Sequence, residues 1–348
     1  MSHRQRGPPP PASDTTSFAS LIRHLLESLR SDEALRSEII SAAVSSEAVE
    51  RGHVGRDGSA TLTFSRQPND VTEFIKGKRP YADDTSGGFS DVYKCVFEKP
   101  GEPRTAVAVK AIRLGTSDAT LLDARGKKLR GEVHIWIRLD HPHVLKLYGI
   151  ASGFAPMPAL VSPWVENGTL TRYLEGYGRQ MQKGHRIYIL VKVAEALHYI
   201  HSKCIVHGDL TSSNILIDGE GQPLISDFGL SSILEEHNET SYFKSNRPGS
   251  IRWVAPELLE ASPKPNIQSD VYSYGCVILH TLSGKAPYGE MRDIHVISAK
   301  IQGTQPQRPA NLPIERSHWD LIANCLQATP RDRPRLPDVI SFWKKTRG

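Results

Sequence analysis

The sequence predicts an α+β fold of two unlike lobes, a strand-rich one followed by a helix-rich one, with a cleft between them. Three observations carry that expectation. Apolar and polar residues alternate through Gly87–Lys94 and again through Thr105–Ile112, the period of half-buried strands. After Lys183 the spacing changes, and Leu190, Val193, Ala194 and Leu197 recur as the buried stripe of a long helix. At the join, the polar residues Asp209, Asn214 and Asp227 flank two short apolar runs, Ile215-Leu216-Ile217 and Leu224-Ile225.

In chain order, residues 1–16 are Pro-rich and polar and are expected to form a disordered tail. Residues 17–50 hold two helical patterns: Phe18, Leu21, Ile22, Leu25, Leu26 and Leu29, then Leu35, Ile39, Ile40, Ala43 and Val44. Helices this short form no core alone, so the extension is expected to dock on the main domain, or else to bind a partner or a second copy. Residues 51–71 read as a linker and 72–347 as the main domain. Within that domain a helix is expected around Thr120–Leu139, with strands near Leu145–Ile150 and Ala159–Pro163.

Composition narrows the class. With 39% hydrophobic and 23% charged residues, the 348-residue chain reads as a soluble globular protein with room for a large core. Its formal charge of +5 is scattered rather than gathered into a basic stripe, which argues against nucleic-acid binding. Cys95, Cys204, Cys276 and Cys325 are far apart and fit reduced thiols of an intracellular protein. The first residues lack a secretory signal, Ser2 does not suit N-myristoylation, and no apolar run nears the ~18 residues of a membrane span. The expected location is the cytoplasm, with the nucleus second.

Lys110 interrupts the apolar strand Val107-Ala108-Val109, where an ammonium needs an acidic partner. Glu132, on the helix that follows, is the natural one, and an ordinary structural salt bridge is the plain alternative. Gly87-Gly88 reads first as a hairpin turn, and its missing side chains would also let a ligand approach the backbone.

Together, His207-Gly208-Asp209-Leu210-Thr211-Ser212-Ser213-Asn214 and Asp227-Phe228-Gly229 resemble the catalytic and magnesium loops of eukaryotic protein kinases. The resemblance covers roughly residues 72–347. It implies the bilobal kinase fold, with a small five-stranded β lobe bearing an αC helix (about 72–163) and a larger helical lobe (about 164–347). It also implies ATP as co-substrate, Mg²⁺ as cofactor and a protein as phosphoryl acceptor. By that resemblance Asp209 is the catalytic base, and Lys110, oriented by Glu132, holds the nucleotide phosphates. Gly87 and Gly88 form the phosphate flap, while Val92 and Ala108 cover the base. Ser162 is a small gatekeeper that leaves an open back pocket. Beside it Pro163 and Val165 form the hinge, with the Pro163 carbonyl and the Val165 amide and carbonyl available to the base. Asn214 and Asp227 are the metal ligands.

Further along, Gly249-Ser250-Ile251-Arg252-Trp253-Val254-Ala255-Pro256-Glu257 resembles the end of an activation segment, with Ser250 placed to contact the catalytic aspartate. The resemblance pairs Glu257 with Arg333, has Asp270 anchor the catalytic loop, and stacks Trp136, Leu147, His207 and Phe228 as a spine. The motifs are most similar to the tyrosine-kinase-like group of Ser/Thr kinases, in forms resembling the families expanded in mushroom-forming fungi. Two positions depart from the pattern. Gly208 replaces an arginine that grips a phosphorylated loop, so activity is expected to depend little on phosphorylation of Thr240, Ser241, Tyr242 or Ser245. Thr211 replaces a lysine that neutralises transition-state charge, a loss worth roughly 10²–10³ in rate. A slow protein kinase is therefore the expected function. The alternatives are a nucleotide-binding pseudokinase and a scaffold acting through residues 17–50.

Overall fold

The computed structural model describes residues 69–81, 90–112, 126, 129, 133, 136–227, 249–259, 264–309 and 314–346. All belong to one compact unit, Gln67–Gly348. The tail, the helical extension, the linker up to residue 68, Gly87, Gly88, Glu132, Phe228 and the loop hydroxyls at 240–245 lie outside the described residues.

Five strands form one antiparallel sheet: β1 (Ile75–Tyr81), β2 (Ser90–Phe97), β3 (Thr105–Ile112), β4 (Gly149–Ala151) and β5 (Ala159–Pro163). Their spatial order is β1-β2-β3-β5-β4. The alternation in β3 sorts its side chains as expected. Val107, Val109 and Ala111 are buried, whereas Ala108 and Lys110 are half-buried on the other face. The buried set packs with Cys95, Phe97, Ala159 and Val161 in a core of the sheet's own. Burying each larger apolar side chain stabilises by about 1.5–3 kcal/mol.

One strand expectation needs correction. The strand placed near Leu145–Ile150 is confined to Gly149–Ala151. Leu145 leaves the sheet because its amide donates to the Ile225 carbonyl at 2.8 Å and its carbonyl accepts from Trp136 Nε1 at 2.9 Å. Strand β1 completes the five strands that the resemblance implies, but the residue pattern does not locate it. Its sequence, IKGKRPY, has no apolar alternation, and it is recruited by pairing with β2.

Among the described residues of the expected helix at 120–139, Gly126, Leu129, Val133, Trp136 and Ile137 are helical. Leu129, Val133 and Trp136, at i, i+4 and i+7, are buried in the main core. The large lobe adds α1 (Leu170–Tyr177), α2 (Lys183–Ser202), the β6–β7 hairpin (Ile215–Ile217 and Pro223–Ile225), α3 (Ile267–Ser283), α4 (Asp293–Ile301), α5 (Arg316–Cys325) and α6 (Leu336–Thr346). Helix α1 also escaped the sequence reading, because Leu170 and Leu174 alone are buried and give too short a pattern.

Helix α3 is the interior axis of this lobe. It starts with a capping box in which the Asn266 side chain accepts from the Ser269 amide and Ser269 Oγ accepts from the Asn266 amide. It stops at Gly284, whose left-handed φ of 70° a residue with a Cβ adopts only with strain. Most of its side chains are buried. Tyr274 donates to the Leu190 carbonyl at 2.8 Å, and Trp343 Nε1 donates to the Tyr274 hydroxyl at 3.0 Å, tying α3 to α2 and α6.

Candidate active site

The small-lobe half of the site follows from strand register. Val92 lies opposite Lys110 and Lys110 opposite Leu160, while Ala108 lies opposite Ser162. Directly paired residues share a face, and Ala108 shares it with Lys110 two residues on. Val92, Ala108, Lys110 and Ser162 thus line one half-buried face, turned away from the sheet's core. Pro163 ends β5 opposite Val107, and the chain leaves with the Trp164 amide donating to the Ala106 carbonyl at 3.0 Å. Val165 is buried, and its carbonyl accepts from the Gly168 amide at 3.3 Å. One of the carbonyls expected to be available to a base is therefore already engaged.

Lys110 Nζ reaches Asp227 Oδ2 at 2.5 Å, and each side chain is less than one-fifth exposed. The sequence pointed to Glu132 as the lysine's partner, and Glu132 lies outside the described residues; the contact described is with Asp227. Asp227 has a left-handed φ of 62°, a conformation that Asp tolerates better than most residues. The residue before it is fixed, since Ser226 donates to the Asn214 carbonyl from both its amide (2.9 Å) and its hydroxyl (3.0 Å). Asp227 is thus positioned by the residue it is expected to work with.

In the large-lobe half, Asn214 Nδ2 donates to the Asp209 carbonyl at 2.7 Å and to Asp209 Oδ2 at 3.0 Å. Asp209 in turn donates its amide to His207 Nδ1 at 3.3 Å. Thr211 is buried, and its hydroxyl accepts from the Ser213 amide at 3.2 Å. Its carbonyl accepts from the Asn214 amide at 3.1 Å. The position where a lysine would bring a mobile charge is thus occupied by a hydroxyl that closes a turn.

The donor set fits magnesium. Asn214 Oδ1 is buried and has no hydrogen-bond partner among the described residues, an arrangement that costs free energy unless something else coordinates it. Asp227 adds a carboxylate. Among the described residues no three His, Cys, Asp or Glu side chains gather as a dedicated cage. Magnesium needs none, since it is commonly held by one or two protein oxygens together with substrate phosphates and water.

Helix α3 supports this loop from beneath. Asp270, 1% exposed, accepts from the His207 amide (2.8 Å), the Gly208 amide (2.9 Å) and His201 Nε2 (2.7 Å). Sequence reading found Asp270 but missed His201, for which no local motif exists. Gly208 has a φ of 78°, so the departure from arginine places the residue best able to take this conformation where the loop turns. Further on, Arg333 clasps Glu257 through two bonds of 2.7 Å, as expected. Ser250 Oγ is buried without a hydrogen-bond partner among the described residues, so the contact expected for it with Asp209 is not made. Of the expected spine, Trp136, Leu147 and His207 are buried.

A buried lysine was also missed. Lys300, 2% exposed, donates to the Arg252 carbonyl at 3.0 Å and the Val254 carbonyl at 2.5 Å. Its ammonium sits over the rings of Tyr272 and Tyr288, at 4.8 and 5.3 Å from their centroids. Burial pushes its pKa down to about 8.

A family profile described as protein tyrosine and serine/threonine kinase matches residues 85–342. The chain belongs to this protein kinase family. Among curated proteins, the kinase is similar to ephrin type-A receptor 5 of Homo sapiens, at 30% identity over 261 residues. That match covers 75% of the chain and 24% of the receptor. It is also similar to ephrin type-A receptor 5 of Gallus gallus (31%, covering 75% of the chain and 25% of the receptor) and ephrin type-A receptor 4-A of Xenopus laevis (30%, covering 74% and 26%). The chain spans about a quarter of the length of these relatives. Among the described residues, no helix of the kinase is long and apolar enough to cross a membrane.

Proposed function

We propose that this kinase transfers the γ-phosphoryl group of ATP to a serine or threonine hydroxyl of a protein. The reading rests chiefly on Asn214, whose amide nitrogen holds the Asp209 carboxylate while its own oxygen stays buried and unclaimed. One side chain thereby links the candidate base to the candidate metal position. In the proposed reaction Asp209 takes the proton of the acceptor hydroxyl. The hydroxyl oxygen bonds to the γ-phosphorus, the bond from that phosphorus to the bridging oxygen breaks, and its electron pair leaves on ADP. Asn214 and Asp227 would hold magnesium, which when bound neutralises charge on the phosphate oxygens.

Lys110 exchanges Asp227 for the α- and β-phosphates, with Glu132 orienting it. Val92 and Ala108 cover the base, and Ser162, Pro163 and Val165 border it. Gly87 and Gly88 close over the phosphates. We assign the acceptor class and the tyrosine-kinase-like group from the motifs around Ser250 and Asp270, and its mushroom-forming-fungal form from Gly87-Gly88-Phe89-Ser90-Asp91-Val92-Tyr93 and His207-Gly208-Asp209-Leu210. The same reading puts the protein in the cytoplasm, with residues 17–50 as a docking or partner-binding extension.

A second reading, a nucleotide-binding pseudokinase, draws on Thr211, whose hydroxyl is spent on the Ser213 amide where a charge is wanted. Phosphotransfer to a generic protein substrate with Mg-ATP, compared with Asp209→Asn, separates the two. Activity that disappears in the variant and yields phosphoserine or phosphothreonine supports the kinase reading. Phosphotyrosine as the main product overturns the acceptor class, and equal background in both proteins with nucleotide still bound supports the pseudokinase.

A further inference from the structure

The catalytic loop is held by α3 at two places, and the second has no role in the mechanism so far. Asp270 grips the loop's entry. Ten residues along the helix, ~15 Å by its rise, His280 Nδ1 meets Ser212 Oγ at 2.9 Å. Ser212 is fully buried and His280 is 4% exposed. Burial, and then the neighbouring Arg186 guanidinium, lower the His280 pKa to about 4, so the ring is neutral and presents one donor and one acceptor. Arg186 itself is held by the carbonyls of Thr281 and Gly178, and the His280 and Trp253 rings meet in a T-shaped arrangement at 5.9 Å between centroids. The imidazole therefore has little freedom to turn.

Ser212 lies two residues before Asn214, and the turn between them is held at each residue. The Ser212 carbonyl accepts from the Thr171 amide at 3.2 Å, and Ser213 Oγ lies 3.2 Å from Thr171 Oγ1. The Ser213 amide is held by Thr211 Oγ1, and the Asn214 amide by the Thr211 carbonyl. The stretch Thr211-Ser212-Ser213, which lacks the family's lysine, is thus a braced turn whose last bond holds the Asn214 backbone, and the unclaimed Asn214 oxygen projects from that backbone.

We propose that His280 is a positioning residue for the metal–nucleotide complex, acting through Ser212 to fix Asn214 Oδ1. The inference rests on the Mg-nucleotide site proposed above, but not on turnover. Groups that orient a metal ligand from behind typically contribute 10–100-fold to metal affinity.

The test uses the full chain and ADP, titrated by calorimetry in MgCl₂ and again in EDTA, so that the ratio of the two affinities reports the metal's contribution. His280→Leu and Ser212→Ala each break the bond from one end, and both are expected to lower that ratio about tenfold while leaving the EDTA affinity unchanged. His280→Asn, which returns a polar atom near the Nδ1 position, is expected to restore it. Should His280→Leu fail to fold, Ser212→Ala carries the same expectation. A ratio unchanged in Ser212→Ala overturns the proposal, and so does an EDTA affinity that falls as far as the Mg affinity, which would mark a merely structural role. A wild-type chain that gains nothing from magnesium overturns it together with the site. A chain that binds Mg-ADP as expected but transfers no phosphate leaves this inference standing and removes the kinase reading instead.

Discussion

The two halves of the candidate site are held in opposite ways. On the small lobe, Val92, Ala108, Lys110 and Ser162 sit on an open, half-buried sheet face, and the described link from that face to the other lobe's chemistry is the Lys110–Asp227 pair. On the large lobe, the loop from His207 to Asn214 is held by Asp270, His280, Thr171 and its own hydroxyls, nearly all buried. The difference assigns each half a task. The large lobe keeps the candidate base and the candidate metal ligand in fixed geometry, so the proposed reaction needs little reorganisation there. The small lobe keeps a cation, Lys110, whose partner is exchanged for phosphate in the proposed reaction.

The sharpest way to break this comparison is at the base. Asp209→Asn retains the shape of the loop but not the proton acceptor, and phosphotransfer is expected to fall by roughly 10²–10⁴ with nucleotide affinity unchanged. A variant with most of its activity would remove Asp209 from the chemistry. Next in size is Asp270→Ala, which orphans two buried amides and His201. A loss of about 3–5 kcal/mol in unfolding free energy is expected, read by denaturant titration. A loss below about 1 kcal/mol would show that the large lobe is not the rigid half.

The rigid half was only partly legible in the sequence. Asp209, Asn214, Asp227, Asp270, Glu257 and Arg333 each lie in a short motif whose residue types state their chemistry. The residues that brace them do not. His280 and Ser212 are separated by 68 positions, His201 and Asp270 by 69, and Thr171 and Ser213 by 42. A single histidine among 14 has no local pattern to distinguish it. Lys300 shows the same limit from another side, because a lysine near a helix end reads as solvent-facing until the fold buries it. In the small lobe the apolar alternation of β3 was enough to place Lys110, whereas basic β1 and the segment 145–148 depend on tertiary partners that alternation does not report.

A smaller effect tests why glycine replaces arginine at the loop's entry. At a φ of 78° Gly208 is unstrained, and its amide still reaches Asp270 Oδ1 at 2.9 Å. Gly208→Ala is expected to cost about 1–2 kcal/mol of stability, the penalty of a Cβ in the left-handed region. Gly208→Arg meets the same penalty, so it does not simply restore a phosphate grip. An alanine variant as stable as the parent would show that the loop's turn is not confined to that conformation.

The smallest effect concerns Lys300, where the large lobe buries a charge that the small lobe would have left half-exposed. Its ammonium faces the Tyr272 and Tyr288 rings, with Cys276, Glu257, Arg252 and Arg333 around it. The folded pKa of about 8 lies below the ordinary 10.5, so between these values the unfolded chain binds the extra proton. Stability from this group therefore rises with pH across that window, by about 1 kcal/mol between pH 7 and pH 9. Deprotonated tyrosines and cysteines oppose the trend in the unfolded chain, so the informative quantity is a difference. Denaturation free energies of the wild type and Lys300→Met, measured at both pH values, should converge or diverge by that amount in favour of the wild type at pH 9. Parallel pH curves would mean that the ammonium keeps its ordinary affinity for protons in the fold. The carbonyls of Arg252 and Val254 and the two rings would then offset the whole cost of burying that charge, and the contrast between a buried large-lobe framework and an open small-lobe face would carry no electrostatic penalty beyond the catalytic loop.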